Sequence, residues 1–487
     1  MSFCAFFYYS FAEIVIAISV LLITISGSCF SKYIKSNVYP LFAMFALIAS
    51  IYGLSYNLDF DKVFLFYNLS VSSKFSSFAK IVILCASAAS ILLAQSYRHI
   101  DEIFDKYEYY IMILLSTLGM MVMVSSNDLM TLYLGLELMS LSLYAMVSFS
   151  RNSIISSEAG LKYFILGALA SGILLYGSSL IYGFTGTTNF SEIGILYQKY
   201  TSGTEMPIAV LVGFLLIVSS VCFKVAAAPF HMWAPDVYQG APLPVTAFLS
   251  TAPKAASLLL LVKLLLSSFS PLHYAWIQVI GSVACLSLIV GALGALTQQN
   301  IKRLLAYSSI SHIGFMLIGL TSFNFAGAEA VLIYLCIYIT MNLGMFAFIA
   351  MLQSRGKENF DLSIFKGLSK TNPIMAVCIS ILLFSMAGIP PLAGFLAKFY
   401  IIFAALRAEL YFIPIFAMLS AVVSAYYYLK IVKYMYFDES EIRIVNNTYS
   451  VGNIIISSFA TTFNIMLVLF PASLSKLISL SITSLFE

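Results

Sequence analysis

The chain has 487 residues, of which 61% are hydrophobic and 9% charged, with a formal net charge of +4. Soluble domains carry near a quarter charged residues, so this composition excludes a cytosolic enzyme, a nucleic-acid binder and a disordered chain. A mean hydropathy of +0.97 points to an all-α polytopic membrane protein, since a spanning helix needs roughly 20 apolar residues.

Taken in chain order, apolar runs between polar breaks predict fourteen spans. They are 11–30, 39–56, 76–96, 109–124, 128–149, 159–183, 207–228, 243–268, 274–297, 303–321, 327–352, 374–405, 410–436 and 452–475. Residues 1–10 carry no Lys or Arg, so no cleaved signal is expected, and the first run is long enough to stay in the membrane. The loops are short, and neither GxGxxG nor GxxxxGK[ST] occurs, so no nucleotide-binding domain is expected. The expected division is a three-helix segment over 1–108, two five-helix repeats over 109–268 and 274–436, and a C-terminal helix over 437–487. The seven cysteines (Cys4, Cys29, Cys85, Cys222, Cys285, Cys336 and Cys378) show no metal spacing and read as small buried hydrophobes. The aromatic content, 40 Phe and 31 Tyr, reads as lipid-facing and interfacial surface.

Basic residues set the orientation. One set of loops holds fifteen Lys and Arg, including Lys32, Lys35, Arg98, Lys302, Arg303, Arg355, Lys357 and Arg443. The other holds six: Lys62, Lys74, Lys80, Lys199, Arg407 and Lys476. The first set is therefore expected in the cytoplasm, with both termini on the opposite, periplasmic side. The remaining four, Lys224, Lys254, Lys263 and Lys398, fall inside apolar spans, as does Glu137. Five such charges cost on the order of 12 kcal/mol before any pairing, so polar partners or water must offset that cost. Lys263 lies near its span end, where snorkelling to the interface is the plain alternative.

Two of these lysines sit beside helix breaks. Lys224 precedes Val225–Pro235, which carries Pro229 and Pro235, and Lys398 follows Gly388–Phe395, which carries Pro390 and Pro391. Proline leaves carbonyls unpaired, and such groups survive in lipid only when buried in protein or facing water. The breaks fall in spans seven and twelve, at matching places in units of spans four to eight and nine to thirteen. Five is odd, so tandem units are inverted, and broken helices at matching places in inverted repeats mark a transport pathway.

Burial disfavours the ammonium form of a lysine and the carboxylate form of a glutamate. A Glu137–Lys224 pair is stable as ions while close, and separation drives proton release. Lys224, Lys254 and Lys398 then read as stations of a proton relay, with His312 between them. His231, at the first break, reads as a ring bonded to a freed carbonyl.

Several segments resemble the antiporter-like membrane subunits of NADH–quinone oxidoreductase, respiratory complex I, most closely the N type. They are Leu134–Leu138, Phe223–Pro242, Val245–Lys254, Ala306–His312 and Gly388–Phe395. The resemblance implies fourteen helices, a Glu137–Lys224 pair, a central lysine at Lys254, a terminal site at Lys398 and a functional histidine at His312. Lys162 also matches a family lysine. The resemblance places flavin, iron–sulfur clusters and quinone in other subunits, and implies L- and M-type sisters and small membrane subunits as partners. Alternatives are a subunit of an Mrp-type Na⁺/H⁺ antiporter or of a ferredoxin- or hydrogenase-linked membrane complex.

Overall fold

A chain in lipid must satisfy its backbone polar groups internally, which a helix does within one segment. In the computed structural model thirteen described helices are long and apolar enough to cross a membrane. The structure describes residues 7–30, 35–56, 62–203, 207–353, 358–439 and 450–486. Cys4, Lys32, Arg355, Lys357 and Arg443 lie outside the described residues.

The spans are α1 (Phe11–Phe30), α2 (Val38–Ser55), α3 (Lys74–Tyr97), α4 (Tyr107–Ser125), α5 (Leu129–Val147) and α6 (Ile154–Thr185). A short antiparallel hairpin, β1 (Val63–Leu65) and β2 (Ser70–Ser72), joins α2 to α3. After the helix α7 (Phe190–Gly203) come α8 (Ile208–Val225), α9 (Trp233–Gly240) and α10 (Leu243–Leu266). The second unit holds α11 (His273–Leu296), α12 (Ile301–Thr321), α13 (Phe325–Met351), α14 (Pro373–Ala387), α15 (Ala393–Arg407) and α16 (Phe412–Tyr436). The chain then forms α17 (Val451–Leu469) and α18 (Pro471–Phe486).

The expected span 374–405 is thus two half-helices, α14 and α15, and it completes the fourteen. The expected last span, 452–475, differs. It ends at Leu469, because Pro471 has no N–H to continue the ladder, and α18 follows as a separate helix. α18 packs against α3 and α13 through buried Ile478 and Ile482. The Phe75 N–H donates to Ser484 Oγ (3.2 Å), and Ser475 Oγ donates to Glu329 Oε1 (2.6 Å).

The two units repeat each other in local detail. Asp128 caps α5 by accepting from Met130 N and Thr131 N, and Asn300 caps α12 by accepting from Lys302 N and Arg303 N. Such caps satisfy donors that the first turn leaves free. Leu129 N donates to Thr188 O (3.0 Å) as Ile301 N does to Phe360 O (2.7 Å). Bridges Asp128–Asn189 and Asn300–Asp361 complete the match. The α4–α5 contact is close enough that a Cβ on Gly119 would lie 2.5 Å from Met139 N, and one on Gly291 in α11 would lie 2.5 Å from Ser311 N.

The breaks match too. α8 ends on Ala226 and α14 on Gly388, both left-handed (φ 60° and 86°). Ala227 N then donates to Cys222 O and Ile389 N to Phe384 O, the closure that satisfies carbonyls at a helix end. Each break also contains a cis X–Pro bond, Ala228–Pro229 and Pro390–Pro391.

α10 runs through the middle of the bundle, every residue buried except Lys263, with α12 and α13 nearly as enclosed. Large apolar side chains such as Leu21, Phe45, Ile48, Leu134 and Val422 face outward, as lipid contact requires. Two expectations fail here. Of the described cysteines only Cys222 is buried, while Cys29 and Cys85 are exposed on membrane helices. Many tyrosines are interior rather than lipid-facing: Tyr238, Tyr334, Tyr338, Tyr427 and Tyr428 are fully buried. The hydroxyls of Tyr334, Tyr338 and Tyr428 each have a hydrogen-bond partner, which lets a phenol bury its large ring.

Two lysines counted as loop charges are also buried, Lys80 and Lys302. Lys80 pairs with Glu13 at 2.5 Å. Lys302 Nζ donates to Ala241 O (2.8 Å) and lies over the Phe360 ring, 4.2 Å from its centroid. Both sit near helix starts, where a count of loop residues places them in water.

Candidate proton-transfer site

Glu137, Ser140 and Tyr144 stand at i, i+3 and i+7 on α5, so they share one face. Lys224 meets that face from the last turn of α8. Its Nζ donates to Ser140 Oγ (2.7 Å) and Tyr144 OH (3.3 Å). The expected direct Glu137–Lys224 ion pair is absent among the described residues. Glu137 Oε1 is buried without a hydrogen-bond partner among the described residues. The ammonium sits beside the next turns of α5, where two hydroxyls solvate it.

The α8 break is closed by side chains. Trp233 Nε1 donates to Phe223 O (2.9 Å), and Ala228 N donates to Ser287 Oγ (2.8 Å). The Trp233 indole stacks on Tyr163 at 4.6 Å, and Tyr163 packs edge-on against Tyr144 at 4.8 Å. Tyr144, Tyr163 and Trp233 thus form a wall beside Lys224.

Lys254 is fully buried halfway along α10 (0% exposed). Its Nζ donates to Ser309 Oγ (2.6 Å) on α12 and sits 5.1 Å from the Tyr238 ring centroid. His312 lies one turn beyond Ser309. Its Nδ1 faces Tyr334 OH (2.8 Å) and its Nε2 faces Tyr428 OH (3.2 Å); Tyr428 also bonds Ser308 Oγ (2.5 Å). His312 stands three residues from Ser309, which Lys254 bonds, and three from Phe315, over whose ring Lys398 lies, so on α12 it comes between the contact points of the two lysines. Lys398 Nζ donates to the Met386 (3.1 Å) and Ala387 (2.8 Å) carbonyls at the C-terminus of α14, over the Phe315 ring at 4.9 Å. Unpaired carbonyls and the negative end of a half-helix favour a cation there.

The structure therefore brings Lys254, His312 and Lys398 together and sets Glu137 and Lys224 against one helix face. The other three sequence candidates stand apart from this line. Lys162 Nζ pairs with Glu158 (2.8 Å) and Asp236 (3.0 Å), and Arg303 grips the second Asp236 oxygen at 2.8 Å. Lys263 does not snorkel: its Nζ donates to Val124 O (2.9 Å) and Ser126 O (2.5 Å), closing the end of α4. His231 is half-buried at the first break beside the Pro229 carbonyl, with Nδ1 lacking a hydrogen-bond partner.

Sequence reasoning missed Ser140, Tyr144, Ser309, Tyr238, Tyr334, Tyr338 and Tyr428. The signal is helical spacing of hydroxyl side chains within apolar spans: 137, 140 and 144; 309 and 312; 334 and 338.

The chain is similar to known proteins over most of its length. Residues 126–424 match the family described as NADH:quinone oxidoreductase/Mrp antiporter, TM. NADH-quinone oxidoreductase subunit N of Paramagnetospirillum magneticum is 45% identical over 88% of this chain and 87% of its own length. A chain of respiratory complex I from Thermus thermophilus superposes with a TM-score of 0.80 at 27% identity, covering 96% of this chain and 98% of that one. A chain of the Mrp complex from Dietzia sp. shares the fold, with a TM-score of 0.85 at 21% identity, covering 98% of each. With the family match spanning both helix breaks and most of the buried lysines, and subunit N relatives aligned over nearly the whole length, the chain belongs to the NADH:quinone oxidoreductase/Mrp antiporter transmembrane family, in its subunit N group.

Proposed function

We propose that the chain is a proton-translocating subunit of the membrane arm of NADH–quinone oxidoreductase. The observation that carries this reading is the interior line Lys254–Ser309–His312–Tyr428, with Lys224 and Lys398 at the two helix breaks. Each buried lysine costs roughly 2.5–3.5 kcal/mol to insert, and Lys254, at mid-membrane on a single serine hydroxyl, closes no helix end that would offset that cost.

Electron transfer in other subunits, which hold the flavin, iron–sulfur clusters and quinone, drives charge movement along the arm. That movement changes how strongly Glu137 holds the Lys224 ammonium. Hydroxyls of Ser140 and Tyr144 keep the lysine solvated while the carboxylate is apart, so the amine can exchange a proton without facing lipid. Protons then pass from Lys254 through Ser309 and His312 toward Lys398. Moving one charge across about 200 mV takes roughly 4.6 kcal/mol, the scale of a few pKa units at one buried lysine. No redox step occurs in this chain. The basic loops face the cytoplasm, both termini face the periplasm, and L- and M-type sisters and small membrane subunits are its neighbours in the inner membrane. An Mrp-type cation/proton antiporter is the second reading, favoured by the fold shared with the Mrp complex.

Mild detergent extraction, a native gel and mass spectrometry separate the two. Co-migration with flavin and iron–sulfur subunits supports the redox-driven reading; migration with antiporter subunits alone contradicts it. Within the assembled complex, Tyr428→Phe removes a hydroxyl shared by Ser308 and His312. The expected result is a three- to tenfold slower proton uptake by inverted vesicles at wild-type subunit content. An unchanged rate would remove Tyr428 from the path.

A further inference from the structure

The relay above has no described connection to the basic face of the molecule, and Lys302 supplies one. We infer that Lys302, fed by Glu358, is the proton-uptake station that loads Lys254 from the basic face; this rests on the proton-translocating reading above.

Lys302 is 3% exposed, in the first turn of α12. Two features mark it as more than a loop charge. Its ammonium is held by a neutral carbonyl, Ala241 O, and an aromatic face, Phe360, with no carboxylate bonded to it among the described residues. The carboxylate whose charge acts on it is Glu358, which is exposed. Glu358 is in turn fixed by the buried Tyr97, whose OH donates to Glu358 Oε1 at 2.7 Å. An exposed acid, Glu358, is thus two residues along the chain from Phe360, the ring that the buried Lys302 ammonium lies over.

Two polar stripes run inward from Lys302. On α12, Lys302 and Ser309 are seven residues apart, on one face and about 10 Å along the axis. On α10, Thr246, Ser250 and Lys254 recur at every fourth residue, again on one face. Inter-helix hydrogen bonds bound the stripes at both ends. At the outer end, Ala241 O accepts from both Lys302 Nζ (2.8 Å) and Thr246 Oγ1 (3.3 Å). Sharing one oxygen keeps those two atoms at most about 6 Å apart, within reach of one bridging water. At the inner end, Ser309 Oγ accepts from Lys254 Nζ at 2.6 Å. Between them Tyr338 OH donates to Ser250 O (2.9 Å), which adds a third hydroxyl at mid-path.

The transfer balances proton by proton. The Glu358 carboxylate takes one proton from the aqueous side and gives it to a neutral Lys302 amine. The resulting ammonium passes one proton inward, and each hydroxyl or water on the way accepts one and releases one. The neutral Lys254 amine receives it, and Glu358 returns to the carboxylate.

The test uses the intact complex in inverted vesicles, with proton uptake read during NADH oxidation. Lys302→Arg keeps a cation able to donate to Ala241 O, but a guanidinium does not give up its proton. The expected result is uptake slowed at least tenfold at wild-type subunit content, with Lys302→Gln equally slow. Glu358→Gln, at an exposed position, is expected to slow uptake two- to fivefold, with recovery in Glu358→Asp. Lys302→Arg at the wild-type rate would overturn the inference, because a lysine that merely closes the Ala241 carbonyl is replaceable by arginine. If Lys302→Arg fails to assemble, unchanged uptake in Glu358→Gln overturns it instead. Lys254→Met is run alongside. Normal uptake there would mean that the relay reading has failed, whereas slow uptake there with normal uptake in Lys302→Arg removes the uptake route alone.

Discussion

Gly394→Ala is expected to remove the chain from the assembled complex. A Cβ at Gly394 would lie 1.8 Å from Ser385 O and 2.6 Å from the Ser385 carbonyl carbon. These are backbone atoms, so no rotamer change relieves the overlap, and α15 must move away from the end of α14. That movement breaks the Gly394 N–H to Ser385 Oγ bond (3.0 Å) and strains the link from Ser385 Oγ to Asn464 on α17 (2.8 Å). It also draws Lys398 off the Met386 and Ala387 carbonyls, leaving a buried cation without acceptors. Overpacking alone costs typically 1–3 kcal/mol, and an unsatisfied buried charge adds more. Mass spectrometry of the native complex should show this chain at less than about a fifth of its wild-type content. Gly183→Ala is the control: nothing lies within 4 Å of its Cβ, and its content should match wild type.

Lys254→Met is expected to do the reverse, leaving the chain assembled and stopping its work. Methionine keeps the volume of the side chain and removes a charge that sits at 0% exposure. The cost of burying the ammonium disappears with it, and replacing a buried ion by an apolar side chain of similar size is often neutral or stabilising. Ser309 still donates to Ala306 O (2.7 Å), so its hydroxyl is not stranded. Subunit content and thermal stability should equal or exceed wild type, while NADH-driven proton uptake falls at least tenfold. That opposite movement of stability and activity separates a relay lysine from a structural one.

Much of this was legible before the fold was known. Apolar length marks the spans, and the prolines at 229, 390 and 391 mark the breaks, because no other residue leaves the helix ladder incomplete in that way. Glu137, Lys224, Lys254 and Lys398 stand out because ionisable groups are costly within apolar runs. Lys80 and Lys302 were hidden for a geometric reason: within two turns of a helix start, hydropathy alone does not say whether a side chain points to water or to a neighbouring helix. The position of Lys224 on Ser140 and Tyr144, rather than on Glu137, depends on how α8 slides along α5, which no spacing encodes. The tyrosines escape a reading by composition because the same residue serves lipid interfaces and buried interiors, and residue type alone does not distinguish the two. The match between Asp128 and Asn300, or between the closures at Ala227 and Ile389, lies in caps and backbone bonds rather than in shared side chains. It therefore leaves little trace in residue identity.

On the proposed function, protons driven by electron transfer pass through the interior line of this chain. The most direct measurement is the number of protons taken up per NADH oxidised by inverted vesicles carrying wild-type or Lys254→Met complex, together with the rate of each process. Lys254→Met is expected to lower uptake at least tenfold in complexes of normal composition. Proton uptake at the wild-type rate and the wild-type ratio to NADH would contradict it, whatever the fold.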